Sequence, residues 1–200
     1  MASTTSLLDR LSRALSAPLK SRYDALAAAA VQGLDGTAMA ARALRNACLA
    51  WLTRLDPEAR LAQAQFDAGG SMTERIAALR CLLHFQAPGA AAALQAFRDA
   101  HAQDPLVTDK WIALLATRPD PEALDDVQAL MATPWWKPAN PNRVRAVLGN
   151  FQRGNPRAFH RADLIPPDRE KFLHPAAGRD VPAFSCAALD SMQPAFIPVA

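Results

Sequence analysis

Residues 140–145 read N-P-N-R-V-R, and in this chain they are the residues best suited to binding chemistry. A guanidinium presents parallel N–H groups that match the two oxygens of a carboxylate, so an arginine held on a rigid helix makes a ready carboxylate receptor. Arg143 and Arg145 lie two positions apart, which sends them well away from each other on a helix. From residue type alone, Arg145 reads as a surface or intrahelical ion pair, worth little. Arg143 reads as a structural cation paired with Asp109 or Asp126, and Asn140 and Asn142 read as cap and turn residues.

Metal and nucleophile chemistry find little support. A helical zinc site needs two imidazoles one turn apart with a glutamate between them. His84, His101, His160 and His174 are scattered, and none has a second histidine four positions away. No metal site is expected. Cys48, Cys81 and Cys186 form no C-x-x-C pair and leave an odd thiol, which fits a reducing, cytoplasmic setting better than a disulfide framework. Cys48 and Cys81 fall in apolar helical patterns and are expected to be small buried hydrophobes.

The 200 residues carry a net charge of +3 and are half hydrophobic, as in globular proteins. Arg42, Arg45, Arg153, Arg157 and Arg161 are spread over different helices without interleaved aromatics, so no nucleic acid partner is expected. Every apolar run is interrupted by charge, so no membrane span is expected, and no secretory signal is read at the N-terminus.

The elements that must position these residues announce themselves by their caps. Asp56-Pro57, Asp104-Pro105, Asp120-Pro121, Asn140-Pro141 and Asn155-Pro156 each place a side-chain acceptor before a proline suited to the first helical position. Ser71 and Glu74 form a capping box. Apolar spacing places Leu44, Cys48, Trp51, Leu52 and Leu55 on one face, then Ile76, Leu79 and Leu83. Val107, Trp111, Leu114 and Leu115 follow, and last Val144, Val147, Leu148 and Phe151. The spacing predicts helices near 5–17, 19–32, 37–54, 57–68, 72–86, 89–102, 105–117, 121–132 and 141–153, with no strands. Short helices on short loops imply an all-α superhelical array of antiparallel pairs, an ARM/HEAT-like α-solenoid, with a compact bundle as the alternative. Trp111 is expected in the core, and Trp135-Trp136 in a proline-flanked loop across two helices. From Leu164 onward prolines break every would-be helix, so residues 163–200 are expected to form a poorly ordered tail beyond a helical domain at 1–162.

Several motifs in one order carry a resemblance. D-K-W at 109–111 and the L-x-A-T after it, N-P-N-R-x-R at 140–145 and N-P-x-A-F-H at 155–160 resemble the C-terminal helical domain of bacterial aminopeptidase N, peptidase family M1. The segments ALRNACLAWLTRL and SMTERIAALRCLL fit in order and spacing, so the resemblance runs from about Arg42 to Ala162. Such a domain closes over the active site of a zinc enzyme that removes N-terminal residues from peptides, and its second N-P-N-R-x-R arginine faces the cavity. The resemblance therefore implies substrate contact by Arg145, with Asn140, Asn142 and Arg143 as weaker candidates. It implies peptide substrates and, as partner, a catalytic domain in cis or on a separate chain. Zinc and the H-E-x-x-H and G-A-M-E-N motifs would belong to that domain, so this chain by itself is expected to lack peptidase activity. The family's chain continues past N-P-x-A-F-H with further helices, including a second cavity arginine, whereas this sequence departs at about Asp163. A free-standing helical-repeat module binding peptide or protein, or a nonfunctional gene remnant, are the competing readings.

Overall fold

Described residues of the protein, in this computed structural model, are 2–27, 33–120 and 123–159. His160, Pro121 and the whole 163–200 segment lie outside them, as does the end of the helix expected at 19–32. Among the described residues every regular element is helical. In chain order these are α1 (Ala2–Ala14), α2 (Ser16–Ala25), α3 (Gly36–Thr53), α4 (Arg60–Asp67), α5 (Met72–His84), α6 (Ala90–Ala100), α7 (Pro105–Ala116) and α8 (Ala123–Met131). A composite last helix follows: α9 (Pro141–Val144), a π-helical turn (Arg145–Gly149) and α10 (Asn150–Gly154), before the short α11 (Pro156–Phe159).

The caps act largely as expected. Asp104 Oδ1 accepts from Leu106 N at 2.9 Å and Val107 N at 3.2 Å, with Pro105 opening α7. Ser71 and Glu74 complete the reciprocal box at the head of α5. Asp56 departs from expectation. Its carboxylate accepts from Glu58 N and Arg60 N, but residues 57–59 form a turn and α4 begins only at Arg60. Ala59, at φ 49°, is the residue that breaks the helical path there. The first junction also shifts: α2 starts at Ser16 and takes Pro18 into its first turn, where a missing N–H costs little.

Packing distinguishes an array from a bundle. From α1 to α8 each helix touches its neighbour in sequence, but α3 also packs on α5, α5 on α7, and α7 on the π turn and α10. This next-but-one contact stacks α3, α5, α7 and the composite helix into one row, with α4, α6 and α8 set against it. That is an α-solenoid. Its core runs along the row through Leu49, Leu79, Leu82, Phe97, Ile112, Val127, Val147 and Phe151, each no more than 2% exposed. On α3 the buried stripe is rotated by about one residue from the sequence reading. Leu49 is sealed while Leu44 stands 47% exposed, because Ala38, Ala41 and Arg42 also turn inward. Trp111 is buried, as expected, and Trp135 meets it edge-on at 5.9 Å.

Between α2, α3, α4 and α5 the core is polar. Arg45 meets the buried Glu74 at 2.5 Å and donates to Tyr23 Oη at 3.1 Å, its guanidinium lying 4.3 Å from the Tyr23 ring centre. Tyr23 donates to Gln65 Oε1 at 2.8 Å, and Gln65 Nε2 donates to the Glu74 carbonyl and Asn46 Oδ1, both at 3.0 Å. Burial is the main influence on the Tyr23 hydroxyl and pushes its pKa up, opposed by Arg45.

Candidate functional site

Asn140 fixes the start of the last stacked helix: its Oδ1 accepts from Asn142 N at 3.0 Å and Arg143 N at 3.4 Å, with Pro141 in the first position. Asn140 and Asn142 thus occupy the cap and first turn, as their types imply. Three residues after Asn142 the α-helical spacing gives way to a π turn that begins at Arg145. Such a one-residue excess leaves carbonyls in need of donors, and π turns occur often at functional positions. Asn150 supplies the repair. Its backbone N–H closes onto the Arg145 carbonyl, while its side-chain amide donates to the carbonyls of Arg145 at 3.2 Å and Ala146 at 3.1 Å.

Arg145 is exposed, and its Nη1 donates to Asn142 Oδ1 at 3.1 Å. No carboxylate among the described residues pairs with it. The side chain therefore presents a full positive charge on a helix anchored by the Asn140 cap and the Asn150 amide.

Arg143 turns the other way and is only 4% exposed. Its Nε lies 2.8 Å from Asp109 Oδ1, the pairing foreseen for it, and the alternative partner Asp126 is taken by Arg118 at 2.7 Å. Asp109 is consequently held in a helix–helix contact rather than on a solvated face. Arg143 Nε and Nη1 are buried without a hydrogen-bond acceptor: the ion pair is close, but the N–H is not aligned on the oxygen. Arg143 also lines a cleft of about 360 Å³ together with Gln103, Thr108, Trp135 and Lys137. Sequence reading drew attention to Trp135 but not to Gln103, Thr108 or Lys137, which come from separate loops and helices and share no motif.

The remaining sequence candidates are structural. Asn155, read as a cap, is 3% exposed, and its amide donates to the carbonyls of Arg118 and Asp120 across 35 and more positions while its Oδ1 accepts from Ala158 N. Cys48 and Cys81 are buried free thiols, and burial pushes the Cys81 thiol up to about 11. No group of three His, Cys, Asp or Glu among the described residues could hold a metal ion, so the donors do not fit a zinc site. No helix among them is long and apolar enough to cross a membrane.

Comparison with known proteins agrees with the helical stack. The family model described as a domain of unknown function (DUF3458_C) with ARM repeats matches residues 1–164. Aminopeptidase N of Caulobacter vibrioides is 40% identical over 129 residues, 63% of this chain and 15% of the relative. Aminopeptidase N of Escherichia coli is 38% identical over 127 residues, 62% of this chain and again 15% of the relative. The crystal structure of Legionella pneumophila aminopeptidase A in complex with aspartic acid superposes with a TM-score of 0.66 at 26% identity, covering 77% of this chain and 19% of that one. The chain thus spans about 15% of the length of the curated relatives it matches. By the helical stack, the ordered motifs along it and these matches, the chain belongs to the ARM-repeat family DUF3458_C, the C-terminal helical domain of M1 aminopeptidases of the aminopeptidase N type.

Proposed function

We propose that this chain forms the wall and gate of the substrate cavity of a zinc-dependent aminopeptidase N, with Arg145 receiving the C-terminal carboxylate of the peptide. The observation that carries the reading is the state of Arg145: exposed, anchored at the start of a π turn, and without a carboxylate of its own among the described residues. A free guanidinium fork held on a rigid helix binds an incoming carboxylate at little ordering cost. Asn142 orients the fork from one side, and Asn140 holds the helix start that carries both.

This chain's part in the reaction is to bind and align the far end of the peptide, and no zinc step is assigned to it. Metal and water activation fall to a companion catalytic portion, in cis or as a separate chain, in a cytoplasmic setting. An exposed leucine stripe along α1 and the residue that follows it supports a covering companion. Leu7, Leu11 and Leu15 recur at one-turn spacing and are 55%, 41% and 46% exposed.

The test pairs the chain with an aminopeptidase N catalytic portion and follows cleavage of peptides ending in a free carboxylate or in an amide. Arg145→Ala should raise KM about tenfold for the free acids, the loss of one charge-assisted contact, and leave the amides nearly unchanged. Equal effects on both substrates would remove Arg145 from substrate contact. Chelator-sensitive peptidase activity in the chain alone would overturn the assignment of zinc chemistry to a companion.

A further inference from the structure

We infer that the cleft between the start of α7 and the 134–137 loop is a second binding site, one that takes a carboxylate carried on a small apolar group. It lies on the opposite side of the last helix from Arg145 and does not depend on the role proposed for that residue.

Arg143 is more than nine-tenths buried and lines the cleft, yet its Nε and Nη1 have no hydrogen-bond acceptor among the described residues. Asp109 balances its charge at 2.8 Å without an aligned N–H···O bond. Nε and Nη1 are sealed from the cleft, so an acceptor there would meet the remaining amino group, Nη2, which makes no hydrogen bond among the described residues, and an oxyanion is a fitting occupant.

Charge and shape narrow the choice. Arg143 and Lys137 line the cleft while Asp109 stands behind Arg143, so the local balance is one net positive charge. The Gln103 amide offers a further neutral donor at the rim, and Thr108 already donates its hydroxyl proton to the Asp104 carbonyl at 2.9 Å. Pro105 and Trp135 form apolar walls, and Trp135 is braced edge-on by Trp111. A volume of about 360 Å³ sits at the small end of ligand pockets. One carboxylate with a short apolar group beside the indole satisfies every wall, whereas a bare inorganic anion would leave the Trp135 side unfilled.

The experiment titrates N-acetylphenylalanine, its C-terminal amide and inorganic phosphate into the 200-residue chain, reading the Trp135 indole and Gln103 amide by ¹H–¹⁵N NMR. The acid should shift both signals with a saturable Kd, and the amide should bind at least about tenfold more weakly. Lys137→Ala, at an exposed position, should weaken acid binding about threefold through loss of one rim charge. Replacing the pair together (Arg143→Met with Asp109→Leu) removes both buried charges without orphaning either, and should abolish binding while the rest of the spectrum stays folded. Arg145→Ala should leave the titration unchanged. Equal binding of acid and amide, wild-type affinity in the paired variant, phosphate binding as tight as the acid, or loss of the shifts in Arg145→Ala would each overturn the site.

Discussion

Gln86 shows how a single residue can be at odds with its backbone. It follows the α5 cap Phe85 at φ 52°, donating its N–H to the Leu83 carbonyl while Ala87 N–H reaches back to Leu82 O. That bond pair is a Schellman ending, where glycine is the usual occupant because it has no Cβ to clash. Since Gln86 is exposed, Gln86→Gly should raise stability by about 0.5–1 kcal/mol, read as a higher urea midpoint at unchanged slope. Glu74 behaves in the opposite way. Sequence reading recognised its cap role through Ser71, three residues away, but could not see that Arg45 and Gln65 converge on it from α3 and α4. Removing it with Glu74→Ala leaves Arg45, 13% exposed, without its carboxylate, and should cost on the order of 3 kcal/mol in thermal or chemical denaturation. The same blindness applied to the cleft: Arg143's partner Asp109 could be guessed from charge, but Gln103 and Lys137 come to line one cleft only once the helices and loops between them are in place.

At the scale of elements, caps were legible because they are local chemistry. Asp104, Asn140 and Ser71 act within three residues of themselves, so their types suffice. The π turn was not legible: the expected helix 141–153 continues as a helix, and nothing in V-R-A-V-L-G-N demands one extra residue per turn. What marks it in the structure is Asn150, whose side chain covers the carbonyls that the wider turn releases. Asn150→Ala should therefore lower stability by about 1 kcal/mol and speed amide exchange at Gly149 and Asn150, while distant helices keep their protection. Unchanged exchange there would mean the turn is held by packing alone. Gly154 shows a second constraint invisible in one dimension. A Cβ on it would run into the side chain of Thr117 and come 3.3 Å from its Cα, so α10 and the end of α7 approach closely only because residue 154 has none. Gly154→Ala should push the two apart, at a cost of about 1–3 kcal/mol.

Over the whole molecule, the all-helical stack was readable from the rhythm of caps and apolar residues, because α7 and the composite helix each offer one continuous apolar stripe. The rotation of the α3 stripe was not readable. It depends on Arg42 turning inward to donate to the Gly33 carbonyl at 3.0 Å, a tertiary choice that overrides hydropathy. Tertiary burial likewise gives the protein a pH dependence that no spacing foretells. His84 ends α5 with its Nε2 buried and without a hydrogen-bond partner among the described residues. Burial, helped by the nearby Arg80, pushes its pKa down from 6.5 to about 4. A histidine that resists protonation when folded destabilises the folded state once the unfolded chain begins to bind that proton. Its penalty is absent above about pH 6.5, grows as the pH falls, and levels off below about pH 4. A shift of that size corresponds to on the order of 3 kcal/mol at most, less because part of the ring reaches solvent. His84→Leu keeps the apolar contacts and has no proton to take up. Urea midpoints at pH 7 and pH 4.5 should therefore fall further for the parent chain than for the variant. The carboxylates titrate alike in both and cancel in the comparison. Parallel declines would mean that the folded chain protonates His84 as readily as the unfolded one does, and that the ring is less enclosed than its burial implies.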